Sequence, residues 1–374
     1  MSSVTHAYLD HNATSPLRPV AFDAMAEALK AGGNPSSVHR AGRAARGRID
    51  AARRQVAALV GALPSEMVFT AGGTEANNLA ITGTGCQRVL ASAVEHDSVL
   101  KAAPDAGLIP VDGNGVIDLE ALERLLAASK APTLVSVMFA NNETGVLQPI
   151  ADVVRLARAT GALVHCDAVQ GAGKAPVELH GLGVDYLSVS AHKLGGPTGV
   201  GALVVRGNAP FVTDRRGGGQ ESNRRAGTEN VAGIAGFGAA AWAARNGLDV
   251  AALRERLEAA LLQIAPQARV FGAGAARLGN TTCISMPGVR AETQVMALDL
   301  AGVCVSAGAA CSSGKVTRSA VLTAMGIDPA VADTAVRISF GWNTEAEDIE
   351  RLIAAWRDLY IRVRNSDIVR DQAA

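Results

Sequence analysis

VDYLSVSAHKLGGPTG, residues 184–199, puts a single lysine at the end of what reads as a buried strand. Val184, Tyr186, Leu187 and Val189 make a short apolar run, and Gly195, Gly196, Pro197 and Gly199 forbid a helix directly after it. Lys193 is therefore expected at a strand end, where open α/β sheets collect their ligands. An amine there can form a Schiff base with an aldehyde cofactor, above all where a dry site lowers its proton affinity. Ser190 and His192 beside it are candidates to hold a phosphate. A lone strand-end lysine would equally be a solvated surface charge, so the reading turns on the rest of the chain.

Upstream, ALVHCDAVQGAGK (162–174) is another apolar strand, and it ends in Asp167. A buried aspartate needs a partner, because an unpaired buried charge is costly. The pyridinium nitrogen of pyridoxal phosphate is such a partner, and pairing it with a carboxylate makes the ring an electron sink. Gln170, three residues on, is placed to donate to the ring's phenolic oxygen. The alternative for Asp167 is a helix N-cap. A phosphate seat is also present: residues 67–70 (MVFT) read as a strand, and AGGTE (71–75) turns directly into a helical run over 76–81. Glycines let a backbone come close, and the N–H groups of a helix start favour an anion. Nucleotide readings fit less well. Gly83-Thr84-Gly85 lacks the third glycine of a dinucleotide fingerprint, and Gly171-Ala172-Gly173-Lys174 is too short for a P-loop.

The strands expected are 67–70, 88–91, 108–111, 133–139, 162–166, 184–189 and 201–206. They alternate with helices such as 119–129, N-capped by Asp118, and 150–160. Helices at 18–31, 40–60 and 231–244 complete this part, which implies an α/β fold with a mostly parallel sheet covered on both faces. After Asn246-Gly247 the pattern changes to helix 251–264, strand 281–285, helix 291–301, strand 303–306, strand 335–340 and a final helix from 346. The expected division is a large domain over 15–246 and a smaller α+β domain formed by 1–14 and 247–374. A length of 374 residues suits two domains, 48% hydrophobic residues suit a sizeable core, and 40 glycines suit many tight turns. Lys and Arg together equal Asp and Glu, 35 each, so neither nucleic acid nor an anionic membrane is expected as partner. No signal-peptide core and no spanning apolar stretch is seen, and the five cysteines form no C-x-x-C pair. Free thiols and a cytoplasmic location are the expectation.

SAGAACSSGKVTRS (306–319) is a loop of small and polar residues carrying Cys311. Cys166 and Cys283 sit in apolar runs, as structural cysteines do. Cys311 has no bulky cover in sequence, which suits a nucleophile, and Lys315 and Arg318 could favour its thiolate. The plainer reading is an incidental thiol on a surface loop. A metal site from Cys304 and Cys311 lacks further ligands.

Ten stretches, in one order, carry a resemblance: YLDHNATSP (8–16), NPSSVHRAGR (34–43), FTAGGTEANNLAI (69–81), EHDSV (95–99), NNETGVLQPI (141–150), HCDAVQGAGK (165–174), SVSAHKLGGPTGVGAL (188–203), GGGQESNRRAGTEN (217–230), VSAGAACSSGK (305–315) and RISFGWNT (337–344). Together they closely resemble the NifS/IscS-type cysteine desulfurases, pyridoxal-phosphate enzymes of the aspartate-aminotransferase fold. The resemblance implies that Lys193 carries the cofactor as a Schiff base and Asp167 pairs with its ring nitrogen, while Gln170 and Asn142 serve its oxygen side. It implies that His96 stacks on the ring and assists proton transfer, its plain alternative being a helix cap. Gly73, Thr74, Ser190 and His192 would hold the phosphate, completed by Thr228 from a facing subunit of a homodimer. Arg337 would take the substrate carboxylate as a bidentate fork, with a surface ion pair as the alternative. Asn34 would help at the substrate, and Cys311 would accept sulfur.

The implied reaction converts L-cysteine to L-alanine and a persulfide on Cys311, which supplies an iron–sulfur scaffold or another acceptor protein. No intrinsic metal is implied, though Cys311 could transiently ligate a cluster shared with a scaffold. The wording of the cysteine loop leans toward the nitrogenase-serving NifS branch. Rivals of the same fold are an aminotransferase or a lyase cleaving selenocysteine or kynurenine, none needing Cys311; a non-catalytic scaffold would be expected to have lost Lys193 or Asp167. Two departures stand out: His11 where the family commonly has Asn, and Ala320 where His or Tyr often follows.

Overall fold

A computed structural model describes residues 6–308 and 318–373, with side chains described as far as 365. In chain order the strands are β1 (Ala7–Tyr8), β2 (Met67–Thr70), β3 (Arg88–Ser92), β4 (Gly107–Ile109), β5 (Thr133–Ser136), β6 (Leu163–Asp167), β7 (Tyr186–Ser190), β8 (Gly201–Val205), β9 (Thr281–Ser285), β10 (Val303–Cys304), β11 (Ser306–Ala307) and β12 (Ala335–Ser339). Seven of them form one sheet in the order β2-β8-β7-β6-β5-β3-β4. The run from β7 to β4 is parallel, and β8 lies antiparallel between β2 and β7. Every residue of β5, β7 and β8 is buried, which is why these strands carry no charged residue and only small hydroxyls among their apolar side chains.

One face of this sheet packs on the helices Arg40–Leu59, Ile150–Thr160 and Val231–Ala244 through Ile49, Val56, Val153 and Phe237. The other packs on the helix Gly73–Gly83 through Leu79 and Ala80. Asp118 caps its helix as the sequence suggests, accepting from the Ala121 N–H at 2.9 Å. A second apolar core gathers Leu9, Leu257, Leu261, Ile284, Ile338, Leu352 and Trp356. It lies among the helices Ala251–Ile264, Ala291–Leu300 and Ala346–Ala373 and a three-stranded antiparallel sheet ordered β11-β12-β9.

The single strand expected over 303–306 is in fact two. β10 pairs in parallel with β1, and after Val305 the chain changes sheets so that β11 pairs antiparallel with β12. The strand expected over 133–139 ends at Ser136 as a regular element, yet the N–H groups of Val137 and Phe139 still donate to the carbonyls of His165 and Asp167. None of the helices among the described residues is long and apolar enough to cross a membrane.

Candidate active site

β6 and β7 are parallel neighbours, so Asp167 and Ser190 end side by side at one edge of the sheet. Lys193 closes a 3₁₀ turn, Ala191–Lys193, directly after β7. The helix Gly73–Gly83 begins opposite these strand ends, and a cavity of about 290 Å³ opens between them. Gly73, Thr74, His96, Asn142, Asp167, Gln170, Ser190, His192, Lys193 and Arg337 all line it, and these are ten of the residues singled out from sequence.

The end of the cavity at Gly73 and Ser190 has the chemistry of an anion seat. The Ser190 hydroxyl is buried with no hydrogen-bond partner among the described residues, an arrangement that costs free energy unless a ligand completes it. A side chain at position 73 would put its Cβ 2.9 Å from Val169 Cγ2, so glycine there keeps the helix start close to the strand ends. His192 lies beside it with its pKa lowered to about 4, first by burial and then by Lys193 and Lys174. These residues fit the phosphate of pyridoxal phosphate, and Asp167 fits its ring nitrogen.

Asp167 is held firmly. Its Oδ1 accepts from the Val169 N–H at 2.9 Å and its Oδ2 from Asn77 Nδ2 at 2.7 Å. Asn77 also donates to Ser98 Oγ at 2.8 Å, and Ser98 Oγ stands 2.8 Å from His96 Nδ1. The Ser98 N–H points to the same Nδ1 at 3.1 Å. Nδ1 must therefore accept, which assigns the ring proton of a neutral His96 to Nε2. Both readings of His96 hold at once, because it caps the helix Asp97–Leu100 and lines the cavity.

Lys193 Nζ donates to the main-chain oxygens of Asn12 and Ala13, at 2.5 and 2.8 Å. Gln170 Nε2 donates to the same Asn12 oxygen at 3.0 Å. Arg337, only 2% exposed, donates from Nη2 to Asp10 Oδ1 at 2.7 Å and from Nη1 to the Asn142 carbonyl at 3.2 Å. It is in an ion pair, as the plainer reading had it, but a buried one at the cavity wall, with Nε unpartnered among the described residues. Glu143 lies buried nearby, its Oε2 accepting from Ser319 Oγ at 2.6 Å. Burial raises the Glu143 pKa to about 7, against the opposing pull of Ser319, Arg337 and His96.

Several expectations fall outside this cluster. Asn34 and Thr228 are exposed and do not line the cavity of their own chain. Cys311 and Lys315 lie outside the described residues. Arg318 does not stand as a charge reserved for the thiolate: it is paired with Asp333 at 3.2 and 3.3 Å. His11 is buried away from the cavity, its ring edge-on to Tyr8, and Ala320 is an exposed helix start. Sequence reasoning missed Asn12, Asn77, Lys174, Asp10 and Glu143. Asn77 had a signal, since it lies one helical turn after Gly73 and so faces the same way.

The match to known proteins is extensive. The Aminotransferase class-V family model matches residues 7–352. The chain is 45% identical over 363 residues to a cysteine desulfurase of Cereibacter sphaeroides, covering 92% of this chain and 93% of that one. It is 37% identical to the IscS-like cysteine desulfurase of Mycobacterium tuberculosis, over 96% and 98% of the two chains. The solved structure of a NifS-like protein from Rickettsia africae superposes with a TM-score of 0.86 at 36% identity, covering 95% of this chain and 99% of that one. The chain belongs to the class-V aminotransferase family and, within it, to the NifS/IscS-type cysteine desulfurases.

Proposed function

We propose that this chain takes sulfur from L-cysteine, releases L-alanine and carries the sulfur as a persulfide on Cys311. The observation that carries the reading is the convergence of Lys193, Asp167 and the unpartnered Ser190 hydroxyl on one cavity at a helix start. Pyridoxal phosphate bound there supplies an electron sink for the substrate amine. Gly73, Thr74, Ser190 and His192 hold its phosphate, and Thr228 of the partner subunit completes that seat in a homodimer; the exposure of Thr228 supports this role. Asp167, fixed by Asn77 and Val169, is the partner for the ring nitrogen. Gln170 and Asn142 serve the oxygen side, and His96 offers Nε2 to the ring face.

Lys193 anchors the cofactor and then takes the proton from the substrate Cα. Arg337 holds the substrate carboxylate, with Asn34 assisting. Cys311 arrives as a thiolate and attacks the substrate Sγ. The Sγ–Cβ bond breaks, its electron pair stays with Cβ, and protonation there makes the methyl group of alanine. The persulfide then passes to an iron–sulfur scaffold or another acceptor protein, which fits a cytoplasmic enzyme. The separation of the apolar core around Phe237 from the one around Trp356 supports a large domain over 15–246 and a smaller one from 1–14 and 247–374.

Cys311→Ser tests the reading. The variant should bind L-cysteine and change the visible spectrum, yet release neither alanine nor sulfide at a useful rate. Mass spectrometry of the wild type after one turnover should find added sulfur on Cys311 only. Sulfur on Cys304, or alanine release by Cys311→Ser at the wild-type rate, would overturn it.

A further inference from the structure

Lys174 stands behind the cavity wall, in none of the roles above. It is a partly buried lysine whose Nζ donates to two neutral amide oxygens, Gln170 Oε1 at 2.7 Å and Asn12 Oδ1 at 2.9 Å. Burial, then Lys193 and Arg337, push its proton affinity well below the usual lysine range. A cation kept in such a place without a carboxylate contact costs stability.

A primary amide has a donor end and an acceptor end of nearly equal size, and only its neighbours decide which way it points. A lysine ammonium has three donors and no acceptor, so placed against an amide it draws the oxygen toward itself. Gln170 accordingly turns Oε1 to Lys174 and Nε2 to the other side, where one N–H meets the Asn12 carbonyl at 3.0 Å. Nε2 carries a second N–H, and Gln170 lines the cavity. Asn12 is fixed in the same way. Its Oδ1 faces Lys174, and its Nδ2 donates to Thr281 Oγ1 at 2.9 Å and to the Asn142 carbonyl at 3.2 Å. The Asn12 carbonyl meanwhile accepts from Lys193.

We propose that Lys174 is a positioning residue that fixes the amide of Gln170, so that the cavity is offered an N–H donor rather than a carbonyl oxygen. Without Lys174 only the Asn12 carbonyl, already shared with Lys193, distinguishes the two ends of that amide, and the orientation loses the stronger of its two determinants. The flipped amide would set its lone pairs against an anionic ring oxygen, turning an attraction into a repulsion. The inference rests on the reading of the cavity as a pyridoxal-phosphate seat.

The test is a double-mutant cycle read by the affinity of the cofactor-free protein for pyridoxal phosphate, and by the pH at which the bound cofactor's visible band changes. Losing one hydrogen bond to a charged group predicts about a tenfold weaker Kd for Lys174→Met, and a similar loss for Gln170→Ala. If Lys174 acts through Gln170, the double variant is no weaker than the weaker single variant. Both singles should also move the pH midpoint of the band in the same direction, which a merely structural loss would not do. Additive losses approaching a hundredfold, or an unchanged Kd and midpoint in Lys174→Met, would overturn the inference. Should Lys174→Met not fold, Lys174→Gln carries the same cycle, because its amide can present either end to Gln170 and cannot fix it. A wild type that fails to bind pyridoxal phosphate would refute the function; a wild type that binds it, with additive losses in the variants, refutes only the role of Lys174.

Discussion

Replacing Glu143 by glutamine should remove a pH dependence from the stability of this fold. Glu143 is 6% exposed, and burial raises its pKa from 4.5 to about 7 although Ser319, Arg337 and His96 all pull it back. An acid whose pKa rises on folding binds more protons folded than unfolded between those two values. Its contribution to stability therefore falls as the pH rises from 4.5 through 7. An interval of about 2.5 pH units, from the 4.5 and about 7 above, at ~1.36 kcal/mol each, amounts to about 3 kcal/mol. Glutamine resembles the neutral acid and keeps an oxygen for the Ser319 hydroxyl. At pH 5 the two proteins should agree within about 1 kcal/mol, and at pH 8.5 Glu143→Gln should be the more stable by about 3 kcal/mol. Urea denaturation of the cofactor-free protein at one fixed concentration reads the difference. His11, His165 and His192, each lowered to about 4 chiefly by burial, act in the opposite sense but are common to both proteins and cancel. Parallel stability curves, or a Glu143→Gln that is the less stable at pH 8.5, would refute the reasoning.

Borohydride treatment of the pyridoxal-phosphate-loaded protein, followed by peptide mapping, should leave the label on Lys193; label on Lys174 or Lys315 would refute the assignment of the anchoring lysine. Gly341→Ala should destabilise the fold by about 1–3 kcal/mol, the usual cost of overpacking, because its Cβ would fall 1.8 Å from His11 Nδ1. That penalty should shrink in a His11→Ala background, measured by denaturation, and a penalty of equal size in both backgrounds would clear the His11 ring as its cause.

Lys193, Asp167, Gly73, Thr74, Ser190 and His192 were readable because each sits where a local pattern ends: a buried apolar run stops, or a glycine turn starts a helix. The seven-stranded sheet was readable for the same reason, since strands buried on both faces have few polar interruptions. The change of sheet at Val305 was not, because four short apolar and small residues look alike whichever neighbour they pair with. Nor was Arg318's commitment to Asp333, which joins residues from two loops at the protein surface.

The residues that hold the cavity's side chains in place lay beyond such local patterns, and Asn12 shows why. Its N–H donates to Ser339 Oγ at 2.9 Å, and its carbonyl accepts from Lys193 and Gln170. Its side chain meets Lys174, Thr281, Asn280 and the Asn142 carbonyl. Those partners come from the segments after β5, β6 and β7 on one side and from β9, the residue before it and β12 on the other. A residue this fully bonded has no periodicity or flanking composition to betray it, because every partner is distant in sequence. It links Lys193, through its carbonyl, to the strands β9 and β12 that carry Thr281, Ser339 and Arg337. The residues that gather at the cavity were therefore readable from strand ends, while the contacts that hold them in place required the packed molecule.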